Sequence, residues 1–309
     1  MEFPIVLEGK VIKYAWVAGS NSWGCKIPEG LSHPEAKVLF ELGTINGVGP
    51  WRLLEISGKP IIYVGMHGWF PENGERVEAW EAAPRVVGVL KELGVTYAMG
   101  DASVGGIQNP FSPGDPLPPG ALVVPTGFRM EGVPSRPSYS PIQDNFFRVG
   151  EPFCASLRCA LISAFGASFS VFGKNTVHDD QRLLLYDAPR VRYVCTMWGR
   201  VETEDEIDVF RMLGDHVVGM SIGHEAHWMR ALGIHFGVVD AVVNYAESGM
   251  PQLWVGNGKP EAMRNYYEQI AVPLGRTMVD TFKLLIELDR QGKLPCNCDK
   301  YKLARLTTN

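Results

Sequence analysis

No uninterrupted apolar run of about 18 residues occurs in the 309-residue chain, so no membrane-spanning helix is expected. No basic cluster of five or more occurs either. With 29 Lys+Arg against 34 Asp+Glu the net charge is -5, and a surface for a nucleic-acid backbone is not expected. Cysteine is scarce: Cys25, Cys154, Cys159, Cys195, Cys296 and Cys298 are too few for a disulfide scaffold. The N-terminal stretch carries Glu2 and Glu8 and breaks its apolar character at Gly9-Lys10, unlike a secretory signal. These absences together predict a cytoplasmic protein. What is present is ordinary for a globular chain: 46% hydrophobic and 20% charged residues, enough to bury about 75% of the unfolded surface.

Short apolar runs ending in Gly-rich turns recur: Tyr14 to Ser22, Ile61 to Gly68, Tyr97 to Gly106, and Val217 to Gly223. Such segments read as buried strands of a mixed sheet. Between them lie helical patterns. One runs from Arg85 to Leu93 and stops at Gly94; another starts at Thr203 with an acidic first turn and stops at Gly214. The longest spans Pro260 to Gln291, with apolar positions at Ile270, Val272, Leu274, Met278, Phe282, Leu285 and Leu288. The proline-rich stretch 109–141 reads as loop with one strand at Ala121 to Val124. The expected architecture is α/β: one domain over residues 1–309, a three-layer sandwich with a mixed sheet flanked by helices. Chemistry in such folds gathers where strands end in loops.

Four constellations stand out. The loops at Ala18-Gly19-Ser20-Asn21-Ser22 and Gly100 to Gly106 offer backbone N–H groups and hydroxyls suited to an anion, or are simply tight turns. Glu202 immediately precedes a helix; it is either a capping carboxylate or an acceptor for a heterocycle's ring N–H. His224-Glu225-Ala226-His227 lacks the H-E-x-x-H spacing of a zinc site. Cys296-Asn297-Cys298 has no further ligands nearby in sequence, so it reads as a redox pair or two unpaired thiols, and no metal is expected. His178, His216 and His235 have no partner pattern and read as structural or surface residues.

Taken in order, several segments resemble one family: Ala102 to Ile107, Gly150-Glu151-Pro152-Phe153-Cys154, Tyr193 to Thr203, Leu213 to Ala226, Val243-Asn244-Tyr245-Ala246, and the late Cys-x-Cys. Together they are similar to the trimeric purine nucleoside phosphorylases and methylthioadenosine phosphorylases, over roughly residues 14 to 300. The resemblance implies that inorganic phosphate, a co-substrate rather than a cofactor, attacks the anomeric carbon of a purine nucleoside through an oxocarbenium-like transition state. It places Ser20, His67, Ala102, Ser103 and Ser221 on the phosphate side, Met220 against the ribose, and Glu202 and Asn244 on the purine. It also implies a homotrimer or dimer of trimers, with the Gly132 to Phe146 segment closing a neighbour's site. Asn244 with Ala246, where the adenine-selective branch carries two Asp, implies a 6-oxopurine; the 5′ substituent is hydroxyl or methylthio.

Departures cluster on the phosphate side. Met66 stands where the family has Arg before His67, Ala102 replaces a Thr or Asn, and Val201 replaces the aromatic that packs on the base. Losing a charge-assisted contact to phosphate costs about 1.5–3 kcal/mol. Three readings therefore stand: a phosphorylase in which Arg52 or Arg129 supplies the cation, a hydrolytic nucleosidase using Asp101 or His67 as base, or a non-catalytic nucleoside-binding paralogue. Trp198 and Trp69 are candidates to replace the missing aromatic contact.

Overall fold

The computed structural model describes residues 4, 7–9, 11–23, 33–65, 77–132, 137–142, 147–174, 183–197, 199–247 and 259–301, without the side chains of 22, 23, 259–264 and 301. The strands are β1 (Tyr14–Ala18), β2 (Ala36–Ile45), β3 (Val48–Ile56), β4 (Lys59–Gly65), β5 (Tyr97–Gly106), β6 (Ala121–Val123), β7 (Gly127–Met130), β8 (Ser170–Val171), β9 (Leu184–Tyr186), β10 (Arg192–Cys195), β11 (Val217–Gly219) and β12 (His235–Tyr245). The helices are α1 (Ser20–Trp23), α2 (Ala79–Glu92), α3 (Ala155–Ser168), α4 (Glu204–Met212), α5 (Ile222–Ala231) and α6 (Lys259–Arg290), followed by a 3-10 turn at Cys298–Tyr301.

All strands belong to one mixed sheet, ordered β2-β3-β4-β1-β5-β12-β6-β9-β8, with β11, β10 and β7 continuing from the far end of β5. β1 is buried along its whole length, and its side chains alternate between two cores: Ala15 and Val17 face one, Tyr14, Trp16 and Ala18 the other. Helices α2 and α5 cover the first face through residues such as Val86, Leu90 and Met229. Helices α3 and α6 cover the second through Leu157, Phe165, Leu274 and Phe282. This is the expected three-layer α/β/α sandwich.

Local chemistry explains most boundaries. The β2–β3 connection is the two-residue turn Asn46-Gly47, both at positive φ (54° and 71°), which pairs Ile45 with Val48. Ser57-Gly58 repeats the device between β3 and β4. Helix α4 opens with a capping box: Thr203 Oγ1 accepts from the Glu206 amide at 3.2 Å, and Glu206 Oε2 accepts from the Thr203 amide at 2.8 Å. Helix α2 begins at Ala79 rather than at the expected Arg85, with Pro84 inside it. A proline so near the start removes one backbone bond, and burial of Ala82 and Ala83 in the core offsets the loss. The stretch read as loop with one strand contains β7 as well as β6. No helix among the described residues is long and apolar enough to cross a membrane.

Strands β4, β1, β5 and β12 run parallel, so their carboxyl ends open on one edge of the sheet. β11 meets the end of β5 antiparallel, Val218 opposite Gly105, and so returns Met220 toward Ser103. That edge holds Ser20, Ser103, Met220 and Asn244.

Candidate active site

Glu202 and Asn244 line the same cavity, of about 150 Å³, together with Ser103, Met220, Val201 and Tyr267. Both polar residues are buried, at 7% and 5% exposure, whereas Val201 at its mouth is 46% exposed. Glu202 also lines a second cavity of about 360 Å³, with Thr196, Arg200 and Asp205.

Each side chain has a local reason for its position. Thr203 performs the capping of α4, which leaves Glu202 free of that role and corrects the capping reading. Its Oε1 instead accepts from the Thr196 hydroxyl, at the end of β10. Burial raises the Glu202 carboxyl above its ordinary pKa, and the Thr196 hydrogen bond opposes that rise. Asn244 follows a bulge in β12: Val242 pairs with Val104 and Asn244 with Gly105, so Val243 is the extra residue. One amide N–H of Asn244 is taken by the Tyr245 carbonyl at 2.6 Å, which fixes the side chain and leaves the second N–H and Oδ1 to a ligand. A Cβ at Gly105 would press on Val218 Cγ1 at 3.0 Å while meeting Asn244 Nδ2 only at ordinary contact distance, 3.4 Å.

Hydroxyls gather beside the cavity around Ser103. Ser20, at the start of α1, and Ser103, in β5, are hydrogen-bonded through their Oγ atoms, and the Tyr267 hydroxyl donates to Ser103 Oγ at 3.0 Å. Gly19 lets the chain pass close to β5: a Cβ would fall 2.0 Å from the Asp101 carbonyl oxygen. Asn21 donates from Nδ2 to the Ala102 carbonyl, anchoring the same loop. Tyr267 was not singled out by sequence; it continues the apolar stripe of α6 one turn before Ile270, and a hydroxyl on such a stripe is the signal.

Other expected site residues lie elsewhere. The Ala102 side chain packs in the core of the α2/α5 face, and only its carbonyl faces the Ser20 loop. Ser221 is buried at the N-cap of α5 and its amide donates to the Tyr193 hydroxyl at 3.3 Å. His67, Met66, Trp69 and Trp198 lie outside the described residues, as does His178. Arg52 pairs with Glu41 at 2.9 Å on β2, and Arg129 pairs with the buried Asp215 and stacks 5.1 Å from the Phe210 ring centroid. Both guanidinium groups are committed to these partners, and neither lines the Glu202–Asn244 cavity. Asp101 is buried and accepts from Trp16 Nε1 at 3.0 Å, which turns it into the protein rather than toward a substrate water. In the Gly132 to Phe146 segment, Ser138 is bound to Glu81 of α2 through its amide (2.8 Å) and hydroxyl (2.5 Å).

Two expectations at the opposite end of the sheet are corrected. Cys296 and Cys298 are not an isolated pair, and His235 is not without partners. The fold brings Cys154, from the N-terminus of α3, and His235, from the start of β12, against them, with all four donor atoms within 4.8 Å of one another. Linear spacing hid this arrangement because the sheet topology, not a local motif, creates it.

The chain is similar to known proteins in sequence and in fold. The Phosphorylase superfamily profile matches residues 43–266. A probable S-methyl-5′-thioinosine phosphorylase of Methanothermobacter thermautotrophicus is 33% identical over 200 residues, covering 64% of this chain and 61% of that protein. A 6-oxopurine nucleoside phosphorylase of Pyrococcus furiosus is 32% identical over 51% of this chain and 54% of its own length. The matched region thus spans under two thirds of these relatives. A methylthioadenosine phosphorylase structure from an antarctic soil metagenomic library superposes with a TM-score of 0.70 at 15% identity, covering 95% of this chain and 91% of that one, and so shares the fold. By the profile match over most of its sheet, the chain belongs to the phosphorylase superfamily.

Proposed function

We propose that the protein cleaves the N-glycosidic bond of a 6-oxopurine nucleoside by phosphorolysis, releasing the base and a pentose 1-phosphate. The observation that carries this reading is the shared cavity of Glu202 and Asn244, floored by Met220 and bordered by the Ser103 and Tyr267 hydroxyls. Glu202 accepts a ring N–H of the base. Asn244 donates to the 6-oxo group as negative charge reaches the departing purine. Phosphate oxygen attacks the anomeric carbon from the side of Ser20 and Ser103 as the bond to N9 breaks and its electron pair leaves with the base. The names of the relatives, two of them a thioinosine and a 6-oxopurine phosphorylase, point to the same substrate class. A homotrimer in the cytoplasm, acting in purine salvage, is part of the proposal.

A second reading, hydrolysis, is favoured by one observation: Met66 stands in place of a phosphate-binding Arg, and Arg52 and Arg129 are engaged elsewhere. Incubation with inosine, guanosine and 5′-methylthioinosine, with and without phosphate, separates the two. Base release dependent on phosphate is the expected result. Release at equal rates without phosphate establishes the hydrolase, and binding without release refutes both.

Thr196→Val tests the carboxylate. The variant keeps the shape but removes the hydroxyl that holds Glu202 down, so the Glu202 pKa rises further. The acidic limb of the kcat/KM profile should move to higher pH. An unmoved limb means that Glu202 does not act as a carboxylate in the reaction.

A further inference from the structure

We propose that Cys154, His235, Cys296 and Cys298 bind a structural zinc ion that clamps the C-terminal segment to the body of the fold. Cys154 Sγ and Cys296 Sγ lie 3.5 Å and 3.4 Å from His235 Nδ1. In a tetrahedral site with ordinary Zn–S and Zn–N bond lengths, sulfur and nitrogen are separated by about 3.6 Å and pairs of sulfurs by about 3.8 Å. The observed edges match the first value, and the mutual 4.8 Å limit on all four donors encloses the second. A disulfide would use two of the sulfurs and leave a thiol and an imidazole converging on nothing; a single tetrahedral ion uses all four donors.

The donors are also held in place by their surroundings. The Cys154 amide donates to the Phe236 carbonyl at 2.7 Å, tying the first ligand to the strand that carries His235. The imidazole packs on the Tyr97 ring, with centroids 5.1 Å apart. Ser156 donates from Oγ to the Pro295 carbonyl, next to Cys296, and Lys300 pairs with Glu151 at 2.9 Å beyond Cys298. Three thiolates and one neutral imidazole leave a zinc site with net charge of minus one. The guanidinium of Arg230, buried and lying against the Cys298 sulfur, supplies the counter-charge. Three sulfurs and one nitrogen in tetrahedral array select zinc over harder cations. Loading displaces three protons from the thiols and fills all four positions, so no site remains for a substrate. β12 carries His235 at its first residue and Asn244 near its last, which puts the metal about 30 Å from the purine-reading end of the strand. Its role is structural, and it stands independently of the proposed reaction.

The test is metal analysis of the full chain purified anaerobically without chelators. About one zinc per chain is expected, retained by Cys159→Ser and lost from the Cys296→Ser/Cys298→Ser double variant. Should that variant fail to fold, cobalt exchange into the native chain gives the same answer. Visible d–d bands with a thiolate-to-cobalt charge-transfer band are expected, and His235→Cys, which keeps four donors, should retain and red-shift them. Removing zinc with a chelator should lower the thermal midpoint while leaving KM for the nucleoside unchanged. A reduced protein that holds no zinc and develops no thiolate-to-cobalt band overturns the proposal. So does mass analysis showing the chain lighter by two hydrogens, with a disulfide among these cysteines.

Discussion

Asn244→Ala should lower kcat/KM for a 6-oxopurine nucleoside by about 10²–10³-fold, the range for losing one preorganised donor aimed at developing charge. The fold should tolerate the change, since the residue contributes one hydrogen bond to its neighbour's carbonyl and otherwise faces the cavity. Asn244→Asp makes the sharper test. A carboxylate only accepts hydrogen bonds, so it repels the 6-oxo group and attracts a 6-amino group. The ratio of inosine to adenosine cleavage should therefore fall steeply in Asn244→Asp, whereas Asn244→Ala should weaken both. Equal activity of Asn244→Ala and the native protein on inosine would remove Asn244 from base recognition.

Glu225→Gln should change stability in a pH-dependent way. Glu225 lies fully buried in α5 among Asp101 and Asp240, and burial followed by the Asp101 charge pushes its carboxyl up to about 8. Asp240 is raised too, by burial first and then by Glu225 and Asp101. The native state thus holds a proton on Glu225 that the unfolded chain releases above about 4.5. Below that pH the group has no effect. Between about 4.5 and about 8 the folded state binds the extra proton, and stability falls as pH rises, by up to about 1.4 kcal/mol per unit. Above about 8 the full penalty is in place. Glutamine carries no such proton, so the urea midpoint of Glu225→Gln should match the native protein near pH 4.5 and exceed it clearly at pH 8.5. Parallel pH profiles for the two proteins would show that Glu225 titrates normally.

Much of the scaffold was legible in the residues. The apolar run of β1, the glycine-rich end of β5 and the acidic first turn before Gly214 each carry their own physical signal, and all three elements form where that signal lies. Two hairpins escaped although Asn46-Gly47 and Ser57-Gly58 announce them; the flanking strands alternate too unevenly in polarity to draw attention. Helix α5 escaped for a different reason. Its buried set includes His224, Glu225 and Arg230, so a core helix looks polar. Helix α3 is apolar on nearly every side and shows almost no periodicity. At the site, Glu202 and Asn244 were visible as residue types, but not the Thr196 hydroxyl or the Tyr267 hydroxyl that complete their surroundings. Those contacts join distant parts of the chain, and only packing brings them together.

The single surplus residue at Val243 sets a limit on how this protein can vary in length. Shortening β12 by one position there would straighten its ladder against β5: the Asn244–Gly105 and Tyr245–Gly106 pairs would remain, but the local bend and extra twist that a bulge gives the strand just before Asn244 would be lost. The Asn244 amide would then lose the bend that aims it at the cavity it shares with Glu202. Sequence drift along this strand is free to change which residues occupy it, but not how many there are.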